Sequence, residues 1–148
     1  ASLLTVHGRT RFQKGHDTGS PDWNALSEVV RRLGDRIPIF ANGGIATYDD
    51  VVECLRVTNA DGIMSSEAIL EYPPVFLPTN VPRVGRVQLA REYMALATQH
   101  PPEAGGQGSG IKCVRMHLHR FFHQELQDRV ELRDFAIAAQ TYQDFYTL

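Results

Sequence analysis

A chain of 148 residues with 43% apolar and 22% charged content lies in the range of ordinary folded domains. No apolar run approaches the roughly 18 residues of a helical membrane span, and no charged stretch leads into an apolar one near the start, so the sequence reads as soluble and intracellular, without a secretory signal. A net charge of −2 excludes a broadly basic nucleic-acid binder and leaves RNA or DNA to a local patch, while Cys54 and Cys113, far apart and in no C-x-x-C pair, predict neither a disulfide scaffold nor a thiolate zinc site.

The chain opens on Ala1-Ser2 and enters an apolar segment almost at once, which reads as a fragment or a splice product. Leu3 to His7 is a short β-prone run stopped by Gly8, and a polar loop with Gly15, Gly19 and Pro21 follows. Asp22 is a good N-cap for a helix carrying Trp23, Leu26, Val29, Val30 and Leu33 at helical spacing, closed by Gly34. Ile37 to Ala41 predicts a second strand ending in Asn42-Gly43-Gly44, and Thr47 caps a helix from Tyr48 to about Val57. Ile63-Met64 is the middle of a third strand, after which Ser65-Ser66-Glu67 begins a helical turn to Leu70. Strand, loop and helix repeated in this way predict a parallel α/β sheet, because a parallel crossover needs a helix to carry the chain back. The prolines at 73, 74, 78 and 82 interrupt the pattern and mark a domain boundary, placed between 77 and 78. Beyond it the reading is all-helical: Val84 to Gln99, then a Gly-rich link over 105–110, a helix from Ile111 to about Gln127, and a last one from about Leu132 to Tyr146.

Ligands of parallel α/β folds sit at the carboxyl ends of the strands, which selects His7-Gly8-Arg9-Thr10, Asn42-Gly43-Gly44-Ile45 and Ser65-Ser66-Glu67. Paired glycines between strand and helix let backbone N–H groups approach an anion that a helix N-terminus also favours. The loop with Ser66 and Glu67 supplies the second half of such a phosphate cradle, with His7 and Arg9 one loop earlier. Each cluster also has a plainer reading, as a tight turn, a structural histidine or a solvated loop with Arg9, Arg11 and Lys14. Their combination at one end of one sheet favours the anion.

The ordered set Val6-His7-Gly8-Arg9-Thr10, Gln13-Lys14-Gly15, Phe40-Ala41-Asn42-Gly43-Gly44-Ile45 and Ala60-Asp61-Gly62-Ile63-Met64-Ser65-Ser66-Glu67, with Pro73 and Phe76, resembles the tRNA-dihydrouridine synthase family. Within it, the Gln-Lys-Gly and Ser-Glu segments look like the eukaryotic cytosolic branch acting on the tRNA D-loop. The resemblance implies the C-terminal part of an FMN-binding (β/α)8 TIM barrel over 1–77, followed by a helical tRNA-binding domain over 78–148. It further implies reduction of uridine in tRNA to 5,6-dihydrouridine with NADPH or NADH as reductant, in the cytoplasm or the nucleus, with tRNA as partner and neither membrane nor DNA. Carried over by position, His7 contacts the flavin, Asn42, Gly43 and Gly44 hold its phosphate side, Ser66 and Glu67 complete the phosphate site, and Arg9 lies near the substrate mouth. Most bacterial members have Gly-Arg where this chain has Ser66-Glu67, so the contact there falls to backbone N–H groups. The catalytic Cys of the family belongs to an earlier part of the barrel, and neither Cys54 nor Cys113 fits its place.

Thirteen of the fifteen basic residues are Arg, the side chain suited to bidentate phosphate contacts. Arg115 and Arg120, with Arg83, Arg86, Arg91, Arg129 and Arg133, form a candidate patch for tRNA phosphates, or else ordinary surface charges. His119 and His123 share a helix face, but no thiolate or carboxylate joins them, and no metal site is expected. A second reading of another class remains: a catalytically silent RNA-binding or regulatory fragment, because three barrel strands alone leave open edges and an uncovered face.

Overall fold

The computed structural model describes residues 1–13, 15, 18–103 and 110–147. Lys14 and most of the Gly-rich link, both part of the sequence reading, lie outside the described residues. The chain divides into two compact units, one of Ala1–Ile69 with Pro73–Val81 and one of Leu70–Tyr72 with Pro82–Leu148.

The first unit alternates β1 (Leu4–His7), α1 (Trp23–Leu33), β2 (Ile39–Asn42), α2 (Tyr48–Thr58) and β3 (Gly62–Met64), then the first residues of the short α3 (Glu67–Glu71), whose last two are counted with the second unit, and a 3-10 turn over Pro73–Phe76. The strands form one parallel sheet in the order β1-β2-β3, with His7 opposite Asn42 and Asn42 opposite Met64. The three segments therefore run side by side in one direction, as the strand–loop–helix repeat predicts. Leu26, Val51 and Cys54 of the two helices pack with Ala41 and Ile45, and Val6, Trp23 and Ile63 close round them. Alternation along β2 explains the sidedness, since Ile39 and Ala41 are buried while Phe40 and Asn42 on the opposite face are only half-buried.

Local chemistry fixes the ends. The Asp22 carboxylate accepts from the Ala25 N–H, and Thr47 with Asp50 forms a reciprocal capping box on α2. Asn59 takes a left-handed conformation at φ 54 to end α2. Asp61 then pins β3 to β2, its carboxylate accepting from the Ile39 N–H at 2.8 Å while its own N–H donates to the Ile39 carbonyl at 2.9 Å. The second strand begins at Ile39 rather than Ile37, because Pro38 has no N–H for the ladder; its carbonyl still accepts from the Leu4 N–H.

The second unit contains α4 (Arg86–Gln99), α5 (Ile111–Phe121), α6 (His123–Asp128), α7 (Val130–Ala138) and α8 (Tyr142–Tyr146). Its core joins Met94, Ala97, Val114, Leu118, Phe121 and Phe145. Two single helices expected from the sequence are each divided. The predicted helix from Ile111 to Gln127 breaks at Phe122, where the Arg86 guanidinium takes the Phe121 carbonyl that a continuous helix would give to the N–H four residues on. The predicted helix from Leu132 to Tyr146 starts earlier, at Val130, and is interrupted after Ala138. There Arg115 takes the Ala139 carbonyl, and Thr141 with Asp144 opens α8 through its own capping box. Tyr72 belongs with this unit, its hydroxyl accepting from the Val84 N–H at 3.0 Å and its ring lying 4.7 Å from the Arg83 guanidinium.

Candidate functional site at the strand ends

Because the sheet is parallel, whatever follows β1, β2 and β3 emerges at one edge. His7 is exposed at the end of β1, and the Gly8 N–H extends the ladder by donating to the Asn42 carbonyl at 3.0 Å. Gly43 and Gly44 follow at φ 108 and 77, a conformation that a side chain rarely tolerates. A Cβ on Gly43 would stand 3.3 Å from the His7 imidazole, and one on Gly44 only 2.6 Å from Pro21 Cγ. Glycine is thus what lets the β1 loop, His7 included, lie directly against the turn after β2. Trp23 holds that turn from below, its indole N–H donating to the Gly43 carbonyl at 3.1 Å. The Ser65 hydroxyl donates to the Ile45 carbonyl at 3.2 Å and ties the loop after β3 to the loop after β2. Ser66 and Glu67 are exposed beyond it, Glu67 as the first residue of α3.

One part of the anion argument changes. The N-terminus of α2 already carries an anion of its own, the Asp50 carboxylate, which accepts from the N–H groups of Ala46 and Thr47 at 3.0 and 2.8 Å and disfavours a second negative charge there. Donors for an anion at this edge are therefore sought in the glycine turn and in Ser66, not in that helix pole. Pro21, Trp23 and Asp50 shape the turn without having been singled out. A buried-capable indole N–H always needs a partner, and the Thr47-x-x-Asp50 spacing is visible in the sequence, so two of the three carried a signal.

Arg9 is half-buried and braces its own loop, donating from Nε to the Gly19 carbonyl at 3.0 Å. Cys54 is fully buried on the core face of α2, where burial pushes its thiol pKa up despite the hydrogen bond with Thr58. A thiol so placed is a packing group.

In the helical unit the arginines proposed for RNA are largely engaged with protein. Arg115 donates to the Ala139 carbonyl at the end of α7, and its Nε is buried without a partner among the described residues. Arg120 is exposed, 3.9 Å from Glu71; Arg86 lies 3.7 Å from Glu125 and Arg133 3.8 Å from Asp134. Arg91 and Arg129 border a cavity of about 370 Å³ whose walls include Val87, Met94, Phe122 and Leu126. Tyr93 shares a 2.7 Å hydrogen bond with His117 Nδ1, and its hydroxyl pKa is pushed up to about 12, first by burial and then by Cys113 and Tyr142. The rings of His119 and His123 lie 6.1 Å apart, and no group of three possible metal ligands occurs among the described residues.

A family model described as Dihydrouridine synthase matches residues 1–145. A mouse protein named tRNA-dihydrouridine(16/17) synthase (NAD(P)(+))-like is 39% identical over 132 residues, 89% of this chain and 25% of its own length. The Schizosaccharomyces pombe tRNA-dihydrouridine(16/17) synthase is 32% identical over 153 residues, covering 99% of this chain and 37% of its own. The Escherichia coli O157:H7 tRNA-dihydrouridine(16) synthase is 34% identical over 104 residues, 67% of this chain and 32% of its own. The chain thus spans between a quarter and somewhat over a third of the length of these relatives. The match runs through both units, from the strands that carry His7 and the glycine turn to the last helix, and on that ground the chain belongs to the dihydrouridine synthase family.

Proposed function

We propose that this chain forms the phosphate side of an FMN site in a TIM-barrel enzyme that reduces uridine in tRNA to 5,6-dihydrouridine at the expense of NADPH or NADH. The observation that carries the reading is the adjacency of three parallel strand ends, which gathers His7, Asn42, Gly43, Gly44, Ser66 and Glu67 along one edge. The relatives' names supply the substrate and the nicotinamide reductant.

The residues present suit a phosphate-bearing planar cofactor. An exposed imidazole stands beside a turn stripped of side chains, and a hydroxyl and a short helix start follow on the next loop. His7 would hydrogen-bond the ring system, the backbone of Gly43 and Gly44 would face the phosphate, and Ser66 would add its hydroxyl. Asn42, half-buried at the end of β2, would position the turn, and Glu67 would take part through its N–H, since its carboxylate repels a phosphate. Bound there, FMN would supply the hydride-transfer chemistry between the nicotinamide and the uracil ring, whose reduction is completed by one proton. The protein's part is to hold that ring system and to receive a uridine drawn out of its stack, with Arg9 near the mouth of the site.

The protein expressed from its complete reading frame is expected to purify with a flavin absorbance spectrum and to form dihydrouridine on unmodified tRNA when NADPH is supplied. His7→Ala should weaken flavin retention roughly tenfold, the loss of about one ligand hydrogen bond. A protein that neither purifies with flavin nor takes it up would overturn the reading. If such a protein still bound tRNA, it would be an RNA-binding module instead.

A further inference from the structure

We propose that Phe12, with the Arg11 guanidinium against it, is a stacking platform for an unpaired RNA base beside the uridine bound at the strand-end site; this rests on the function proposed above and names a residue that positions its substrate.

Phe12 is 80% exposed, more than any other large hydrophobic side chain among the described residues, and it belongs to neither core. Single exposed apolar residues are common, so exposure by itself decides nothing. Its setting does. Arg11 and Phe12 are the two central residues of a turn closed by the Gln13 N–H donating to the Thr10 carbonyl at 3.1 Å. The Gln13 side chain closes the same turn from the other side, accepting from the Thr10 N–H at 2.9 Å and donating to the Thr18 carbonyl at 3.4 Å. Arg9 adds its bond to the Gly19 carbonyl. The ring is therefore presented on a braced tip that leaves the sheet immediately after His7 and Gly8, at the edge where the uridine is placed.

The Arg11 guanidinium lies 5.7 Å from the ring centroid, within cation–π range. An aromatic ring beside arginines is the arrangement that holds single-stranded nucleic acid, the π-face taking a base of any identity and the cations taking its phosphates. Drawing one uridine out of a stack leaves its neighbours without a partner, and a platform at the mouth of the site replaces the lost stacking. Among the described residues of this loop, 9–13, 15 and 18–21, Phe12 is the one large apolar side chain, which suits a base better than a protein interface.

Phe12→Ala and Phe12→Trp, made in the protein expressed from its complete reading frame, test this. Phe12→Ala should leave flavin content and the rate of flavin reduction by NADPH unchanged and raise KM for tRNA roughly tenfold, with a smaller change in kcat. Phe12→Trp should keep the parent KM, and its added indole emission, taken as the difference from the parent protein with its Trp23, should quench when an unstructured oligoribonucleotide is titrated in. An enzyme that holds flavin and reduces uridine, yet shows an unchanged KM in Phe12→Ala and no quenching in Phe12→Trp, overturns the platform and leaves the function standing. A protein without flavin or activity overturns the function, and the oligoribonucleotide titration, which needs neither, still decides the platform. Emission that responds to a protein partner but not to RNA also overturns it.

Discussion

The sheet unit and the helical unit are held in order by different means. In the first, α1 and α2 begin on side-chain caps at Asp22 and Thr47, α2 ends on a left-handed Asn59, and the turn after β2 rests on two glycines at positive φ. In the second, α4, α5, α6 and α7 begin at Gly85, Gly110, Phe122 and Arg129 with no side-chain cap at all. What orders those helices is burial of Met94, Val114, Leu118 and Phe121, together with Arg86 and Arg115 reaching across to carbonyls at helix ends. Side-chain caps start both long helices of the first unit, whereas in the second only α8 has one, at Thr141, and the four helices before it rely on packing between distant residues.

The largest expected effect that sharpens this contrast is in the helical unit. Phe121 is 4% exposed and meets Tyr93 edge to face at 5.5 Å, so Phe121→Ala should cost about 3–5 kcal/mol. Chemical denaturation followed by far-ultraviolet circular dichroism should show the loss as a lowered midpoint for the helix-rich part of the signal. A loss under about 1 kcal/mol would mean that packing is not what holds these helices.

Next comes the glycine turn. Gly44→Ala meets both a positive φ and a contact of 2.6 Å with Pro21, so about 2–3 kcal/mol of destabilisation is expected, together with a drop in flavin retention. Thermal melting combined with the flavin spectrum reads both; an unchanged melt with full flavin content would show that the turn is not strained in the way its geometry requires. The smallest effect belongs to a single cap. Thr47→Ala should cost about 1 kcal/mol, whereas Thr47→Ser, which keeps the hydroxyl, should cost a fraction of that. If amide exchange in the first turn of α2 were no faster in Thr47→Ala than in the parent, the cap would be idle and the contrast between the units would weaken.

The same division explains which parts of the molecule were legible beforehand. Strands and helices of the sheet unit were found in order because their periods, caps and glycines all agree, and such agreement between local and global preference marks a well-specified segment. The break at Phe122 left no such mark, since Phe121 and Phe122 both suit a helix, and only the guanidinium of Arg86, thirty-five residues away, claims the carbonyl there. The break before α8 was more accessible, because Thr141 and Asp144 spell a capping box. At the candidate site the residue types could be chosen from strand ends alone. That Asp50 sets its carboxylate at the N-terminus of α2 and that Trp23 grips the Gly43 carbonyl are facts of side-chain direction.

By itself the sequence determined the alternation of strand and helix, the parallel sense that follows from helical crossovers, and the positions of His7, Gly43 and Gly44 at strand ends. Periodicity and backbone chemistry act within a few residues and are written in residue order. The tertiary structure alone decided which backbone groups remain for a ligand, which arginines are spent on helix ends, and that Phe12 stands out on a braced turn. Each of those depends on where a distant atom comes to rest, and distance along the chain does not encode it.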